Sequence, residues 1–374
     1  MTKLTCFDVL IVYNEKLATS ASDKLSKSDI PFPLGSRNEF YNTVYSYFLK
    51  ICHKSDLTAA FTTSADIIGP GFCSSFWTFK DEKWTKNNSP CYSALIFDKF
   101  SPTNNQIKLR RQLLFSSSEI KSFNNPDLFN LFFDKQKTYE KLSDHSIPTI
   151  SIDNNTLNSI DSACKTLNKL MSHHSGSKDF NSDLIMKDRF GAGGRHVYKF
   201  KIDQPKDMLA IICKDPTISY IIQPFTKFDK GFSYHNCFVS ADIRLIYLQG
   251  KLIQSYIRVA KPGEFRCNEH QGGLLTYLPF DQIPHSVLVK SKAISNILNQ
   301  KQSLYSLDFI ISNSGQVYLL EGNTSPGLDW NTSIKKNEIK SKKLIRLIVN
   351  NLTTRITPKI YYPSKSSHSF TLAV

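Results

Sequence analysis

Apolar residues fall along this chain in two rhythms. Short, nearly unbroken runs at Asp8 to Tyr13, Ala59 to Thr62 and Ala94 to Phe97 have the length of buried strands, and Asn38 to His53 is helical in pattern. Such alternation, reaching to about Phe123, predicts an α/β unit. Pro70-Gly71 and Asn87 to Pro90 mark its loops, and it carries no recognisable chemical motif.

A second unit follows over residues 124–222. The pattern predicts a helix over Asp134 to His145, an extended segment over Ile147 to Ile152 and a helix over Ser159 to Ser172. A polar linker, Ser175 to Asp183, leads into strand Leu184 to Lys187, a glycine-rich loop and strand Arg195 to Phe200. The third unit, residues 223–355, begins with hairpins. Asp242 to Leu248 and Lys251 to Val259 flank Gln249-Gly250, while Leu304 to Ser312 and Gln316 to Asn323 flank Asn313 to Gly315. Residues 356–374 read as a loosely held tail. The division is thus 1–123, 124–222, 223–355 and a tail.

At 374 residues the chain is long enough for two or three packed units, with an ordinary 40% hydrophobic and 21% charged composition. No apolar run reaches bilayer length, and the short stretch Val9 to Tyr13, ending in Asn14 and Glu15, reads as a strand and not as a signal peptide. A cytoplasmic protein without a membrane partner is the expectation. The eight cysteines form no Cys-x-x-Cys pair, so neither a zinc site nor a disulfide framework is supported. A formal charge of +15 predicts attraction to polyanions. No nucleic-acid-binding motif accompanies it, and the run Lys335, Lys336, Lys340, Lys342, Lys343, Arg346 reads as a solvated helix face, so a nucleic-acid partner is not expected.

The turn around Ser314-Gly315 is the most informative place. An even-numbered hairpin loop centred there pairs Asp308 with Glu321 and sets Asn323 on the same face. Two opposed carboxylates among apolar neighbours repel, and a hard divalent cation such as magnesium removes that cost. A three- or five-residue loop would instead shift the register and turn one carboxylate to solvent. The small residues of Gly322-Asn323-Thr324-Ser325-Pro326-Gly327 favour the metal reading, because they let the backbone approach a bound group closely.

Lys187 ends a strand before Phe190-Gly191-Ala192-Gly193-Gly194, which lacks both the Gly-Lys-Ser/Thr of a Walker loop and the helix of a dinucleotide fingerprint. Glycines between two strands fold backbone N–H groups over phosphates in kinase lids, and a lysine adds a point charge. A plain glycine-rich turn is the alternative. Lys135, beside Asp134 at a helix start, reads by itself as a solvated lysine.

Taken in order, Lys135, Lys187, the glycine loop, Asp308 and Glu321-Gly322-Asn323 resemble the ATP-grasp superfamily. Asp242-Ile243-Arg244, the stretch from Arg258 through Pro262-Gly263-Glu264-Phe265-Arg266-Cys267-Asn268 to Gly272-Gly273, and Glu321 through Leu328 are similar to the RimK-like ligases, which add glutamate to a ribosomal protein tail or join related amino acids. The resemblance spans about Asp134 to Leu328. It implies an α+β fold of two subdomains gripping ATP, preceded by an N-terminal α/β domain. It also implies that Lys135, Lys187 and the loop glycines Gly191, Gly193 and Gly194 hold ATP phosphates, that Gln223-Pro224-Phe225 forms the adenine hinge, and that Asp242 sits by the ribose. Arg266 and Asn268 would lie by the phosphates, and Asp308, Glu321 and Asn323 would bind magnesium, two ions in the usual arrangement, with Mn²⁺ a possible substitute. The sequence departs from the family in placing Pro224 where an acidic residue is usual, and in a longer stretch between Phe225 and Asp242 that could shape a different substrate pocket.

The reaction so implied activates a carboxylate as an acylphosphate, releases ADP and forms an amide with an amine. Arg258 and Arg266 are the candidates for steadying the transferred phosphoryl and the tetrahedral intermediate, with a surface ion pair the alternative for either. His270 is a candidate for deprotonating the amine, with a structural hydrogen bond an equal alternative. Amino acids or peptides, including an acidic peptide or protein tail, are the expected substrates, and homo-oligomers are usual among such proteins. The rival readings are a peptide macrocyclase or small-molecule kinase on the same fold, and a non-catalytic basic protein binding nucleic acid or ribosomes.

Overall fold

The computed structural model describes residues 4–24, 28–102, 104–328 and 334–356. The first unit is built on β1 (Val9–Tyr13), α1 (Tyr41–Lys54), β2 (Ala59–Thr63), β3 (Phe76–Lys80), β4 (Lys83–Asn87), β5 (Leu95–Lys99), α2 (Asn105–Leu114) and β6 (Lys121–Ser122). Its sheet runs β6-β5-β1-β2-β3-β4, with the first four strands parallel and a β3–β4 hairpin closing the edge. β1 is apolar throughout because both of its faces are covered. Val9, Ile11 and Tyr13 pack with Phe32, Tyr45 and Phe48, while Leu10 and Val12 pack with Ile107 and Leu114 of α2.

Next come α3 (Pro126–Phe133), α4 (Lys135–Lys141), β7 (Ile150–Ser151), α5 (Leu157–His173), β8 (Asp183–Asp188), β9 (Val197–Lys201), α6 (Pro205–Lys214) and β10 (Tyr220–Pro224). β7-β10-β8-β9 form an antiparallel sheet with α5 and α6 packed on one face. The helix expected over residues 134–145 ends at Lys141 and tightens into a 3₁₀ turn at Ser143–His145. Only two residues of the expected extended segment 147–152 enter the sheet, since Pro148 has no N–H to donate. On β8, Leu184 and Met186 point into the helical layer, so alternation leaves Ile185 and Lys187 on the open face.

The third sheet uses β11 (Ala241–Leu248), β12 (Lys251–Val259), β13 (Leu274–Tyr277), β14 (Leu304–Ile311) and β15 (Val317–Asn323), in the antiparallel order β13-β12-β11-β14-β15. One face packs on α3 and on α7 (His285–Leu298) through Ile243, Leu245, Leu307 and Phe309. The opposite face carries Ile246, Leu248, Tyr256 and Leu304, which join the core of the first unit together with α8 (Lys335–Thr353). α3 therefore packs under the third sheet, and α8 packs on the first unit. On α8, Lys335, Lys336, Lys340, Lys343 and Arg346 are exposed while Leu344, Ile345, Ile348 and Val349 are buried, which is the solvated face expected of that basic run. Of the tail read as 356–374, all but Ile356 lies outside the described residues.

Candidate active site

A cleft opens between the open face of the second sheet and one end of the third. Lys135, Lys187, Asp308 and Glu321 line it together, and so does an apolar group of Ile185, Phe225, Phe228, Ile310 and Leu320. Gly191, Gly193, Gly194, Gln223, Pro224, Asp242, Arg258, Arg266 and Asn268 line it as well. Of the candidate nucleotide, metal and phosphoryl residues singled out from the sequence, Asn323 is not part of this wall, although it shares a sheet face with Glu321 two residues further on.

Asp134 caps α4, its side chain accepting from the backbone of Gln136, and takes two hydrogen bonds from Arg189, at 2.7 and 2.6 Å. This pair clips the helix start to the root of the glycine loop. Lys135 then donates to the carbonyl of Gly191. Gly193 and Gly194 both have φ near +71°, the left-handed region where a side chain is strained, and a Cβ on Gly194 would stand 2.7 Å from Oδ1 of Asn268. The loop therefore closes on the Asn268 segment only as glycine. Burial, then the neighbouring Lys135, lowers the Lys187 ammonium to about 8 against the pull of Glu321. Burial also lowers Lys135.

Asp308 stands opposite Glu321, as the hairpin reading required, but by another route. The turn is not even-numbered: Ile311 pairs with Val317, leaving a five-residue loop, and Ile310 pairs with Tyr318. A bulge between Leu319 and Glu321 adds one residue to β15 and restores the pair. Without it Glu321 and Asn323 would face the α3 side, where Gly322 now sits with no room for a Cβ beside the Phe132 ring.

The charge on Asp308 is compensated by protein. Arg244 donates to it from Nε at 2.6 Å and from Nη2, and Arg258 donates at 2.7 Å while also gripping Asp242 at 2.8 and 2.7 Å. Burial opposes the Asp308 charge, yet Arg244 and then Arg258 outweigh it and hold the carboxyl below its usual range. Arg258 is thus no surface ion-pair partner but half of a buried alternating set, Asp242–Arg258–Asp308–Arg244. Arg244 went without a role in the sequence reading. Its signal was there in the two charges, Asp242 and Arg244, spaced i, i+2 in an otherwise apolar strand. Glu321 remains the more available acid, its side chain 29% exposed and 3.7 Å from Arg244.

Arg266 does pair with a neighbour, Glu264, at 2.7 Å, which holds that carboxyl down at about 2, but it also lines the cleft. Its Nε and the hydroxyl of Thr226 are buried there without partners among the described residues. Phe225 lies edge-on to Phe265 and carries Lys199 over its ring at 3.9 Å, and Gln223 donates to Thr149 at 2.6 Å. The insertion after Phe225 lends Thr226 and Phe228 to the cleft, and further along its Lys227 carbonyl and Asp229 bond Asn313 at the hairpin turn. It buttresses the apolar part of the cleft and the acidic hairpin. The side chain of His270 lies outside the described residues.

The family model of the RimK-like ATP-grasp domain matches residues 133–348, more than half of the chain. The chain belongs to this family. Among its curated relatives, a probable alpha-L-glutamate ligase of Shewanella halifaxensis is 28% identical over 146 residues, 39% of this chain and 29% of that protein. One from Hydrogenovibrio crunogenus is 30% identical over 122 residues, 33% of this chain and 36% of that one. This RimK-like chain therefore matches only about a third of the length of these relatives. Among solved structures, D-alanyl-alanine synthetase A from Vibrio cholerae superposes with a TM-score of 0.56 at 16% identity, covering 94% of this chain and 99% of that one. An ATP-grasp RimK domain protein from Sphaerobacter thermophilus gives 0.52 at 11%, covering 91% and 98%. These likenesses show the ATP-grasp fold, with its preceding α/β unit, over nearly the whole chain. No helix among the described residues is long and apolar enough to cross a membrane.

Among the described residues no three His, Cys, Asp or Glu side chains gather to hold a metal by themselves. Glu321, Asp308 and Asn323 nonetheless form a small set of hard oxygens, and magnesium typically takes few protein ligands and completes its shell with water and substrate phosphate. The donor set fits a cation that arrives with a nucleotide.

Proposed function

We propose that this RimK-like protein is an ATP-dependent carboxylate–amine ligase that forms an amide through an acylphosphate and releases ADP and phosphate. One observation carries the reading: a single cleft brings an apolar group, Phe225, Phe228, Ile310 and Leu320, together with two lysines and two carboxylates beside a glycine loop. In this reading Gln223, Pro224 and Phe225 border the adenine and Asp242 lies towards the ribose. Lys135, Lys187, Asn268, Arg266 and the N–H groups of Gly191 to Gly194 receive the phosphates.

Glu321, Asp308 and Asn323 would hold magnesium, as two ions, or manganese in its place. Bound there, the metal would supply charge neutralisation at the phosphates. The remaining work falls to the chain. The loop excludes water and fixes the γ-phosphoryl, and the lysines offset the charge that grows on the leaving oxygens. The Arg258–Asp308–Arg244 set keeps the acidic hairpin rigid so that the carboxylate substrate meets the phosphoryl in line.

One substrate is inferred to be a peptide or protein segment of acidic character. A second, much larger groove meets the cleft at Asp188, Gly191, Ala192 and Arg195, and Lys16, Lys108, Lys121 and Lys301 line its walls. Its size exceeds the few hundred to ~1,000 Å³ of a small-molecule site.

Pairs of amino acids and acidic peptides, screened for ADP and phosphate release with Mg-ATP, test the proposal. Release should need both partners and vanish in Glu321→Ala. Release equal in the two proteins, or release without an amine, removes the ligase reading. ATP-indifferent binding to RNA that falls steeply with salt would favour the non-catalytic rival.

A further inference from the structure

The strand that carries Glu321 is gripped by the second unit just before its bulge. Tyr318 pairs with Ile310, and this pair stands one row along the strands from Asp308 and Glu321, on the same face of the third sheet. Its ring is buried in a socket of the segment that joins α5 to β8. There it meets His174 at 5.9 Å and Phe180 at 5.8 Å between ring centroids, and its hydroxyl donates to Oδ2 of Asp179 at 2.7 Å. The same hydroxyl lies 3.4 Å from the carbonyl oxygen of Gly176, where a Cβ would stand 1.9 Å from it, so the socket closes only around glycine. Burial, then Asp179, pushes the Tyr318 hydroxyl up, so it keeps its proton and stays a donor.

The backbone adds to this grip. Ser146, just past the 3₁₀ turn that follows α4, forms a parallel bridge to Leu319, the next residue of β15. The second unit thus holds both Tyr318 and Leu319, and the extra residue of the bulge follows at once. Around this joint Nδ1 of His145, Oγ of Ser146 and Nε2 of His174 are buried without partners among the described residues. Unsatisfied atoms of this kind oppose closure, so the closed joint leans on what the Tyr318 ring and hydroxyl contribute. The joint also spans the two walls of the cleft. Its socket segment leads into β8, which carries Lys187, and Glu321 stands three residues past Tyr318.

We propose that Tyr318 is a positioning residue for the metal site: seated in its socket, it fixes the bulge of β15 so that Glu321 presents its oxygens to a metal-bound nucleotide. The inference rests on the ligase reading above, whose metal ligand it concerns. A Tyr318 released from the socket frees the upstream end of the bulge, and a slip of one residue there turns Glu321 towards the α3 side of the sheet. Lys135, Lys187 and the apolar group of the cleft are carried by other elements and keep their places. The loss therefore falls on the part of nucleotide binding that needs the metal.

Calorimetry on the full chain measures AMP-PNP affinity with Mg²⁺ and with EDTA, and the ratio of the two is the gain due to metal. Tyr318→Phe keeps the ring and loses the bond to Asp179. Its metal gain should fall about fivefold, the scale of one lost hydrogen bond, with affinity in EDTA within about twofold of wild type. Gly176→Ala should lose about tenfold or more, because its Cβ collides with the hydroxyl, and adding Tyr318→Phe to it should bring the gain back towards the level of Tyr318→Phe alone. On a Glu321→Gln background Tyr318→Phe should change nothing further. Tyr318→Phe, which removes a single oxygen, keeps the test open if Gly176→Ala fails to fold. A Tyr318→Phe variant whose affinity falls equally with and without Mg²⁺, or does not fall, overturns the proposal, and so does a wild type with no metal gain. A wild type that binds AMP-PNP under neither condition sinks the ligase reading beneath it.

Discussion

Asp308 faces Glu321 because Leu320 is bulged out of the last strand, which changes the parity of β15 between Tyr318 and Glu321. The bulge sends Leu320 to the cleft and turns Gly322 against Phe132, so three neighbouring residues serve three different surfaces.

Gly322→Ala should therefore be costly. Its Cβ would meet the Phe132 ring at 2.3 Å, and overpacking of this kind costs about 1–3 kcal/mol. Urea unfolding should show the loss, and Phe132→Leu in the same chain should recover part of it. Additive effects of the two substitutions would show that the two residues do not meet.

Glu321→Gln should separate chemistry from folding. The side chain is 29% exposed and stands 3.7 Å from Arg244, and the amide keeps its shape and its oxygen acceptor, so Tm should stay within about 2 °C of wild type. ADP formation should fall at least about 100-fold, the scale set by losing several kcal/mol of charge stabilisation.

Asp308→Asn should behave in the opposite way. It leaves Arg244 and Arg258 buried with one carboxylate fewer, and breaking such a set costs about 3–5 kcal/mol. Because the folded carboxyl titrates below its unfolded value near 4, its contribution is complete at neutral pH. It fades as pH falls through the folded value, so wild type and variant should converge in acid denaturation profiles.

Lys187 sets a pH dependence with the other sign. Its folded ammonium titrates at about 8 against 10.5 unfolded. Between those values the unfolded chain binds the extra proton, so this residue makes stability rise with pH across that window. Phosphates bound beside it would draw the proton back. Calorimetry of Mg-ADP binding near pH 8.5, in buffers of different ionisation enthalpy, should show proton uptake that Lys187→Met abolishes. Equal proton uptake in both proteins would place the phosphates elsewhere.

What the sequence determined by itself was local. Period-two alternation and glycine-bearing turns placed β8, β11, β12, β14 and β15 within a residue or two, because strand pairing across a short turn is decided by neighbours in the chain. The order of Lys135, Lys187, the glycine loop, Asp308 and Glu321 pointed to the family. The compensation of Asp308 by Arg244 and Arg258 was not legible, since those residues lie 64 and 50 positions away in the chain. Nor was the bulge at Leu320, which the Gly322–Phe132 contact and the charge set together hold in place. Tertiary packing alone decided which carboxylate is buried and which stays available, because burial, and with it the cost of an uncompensated charge, exists only once distant strands are side by side.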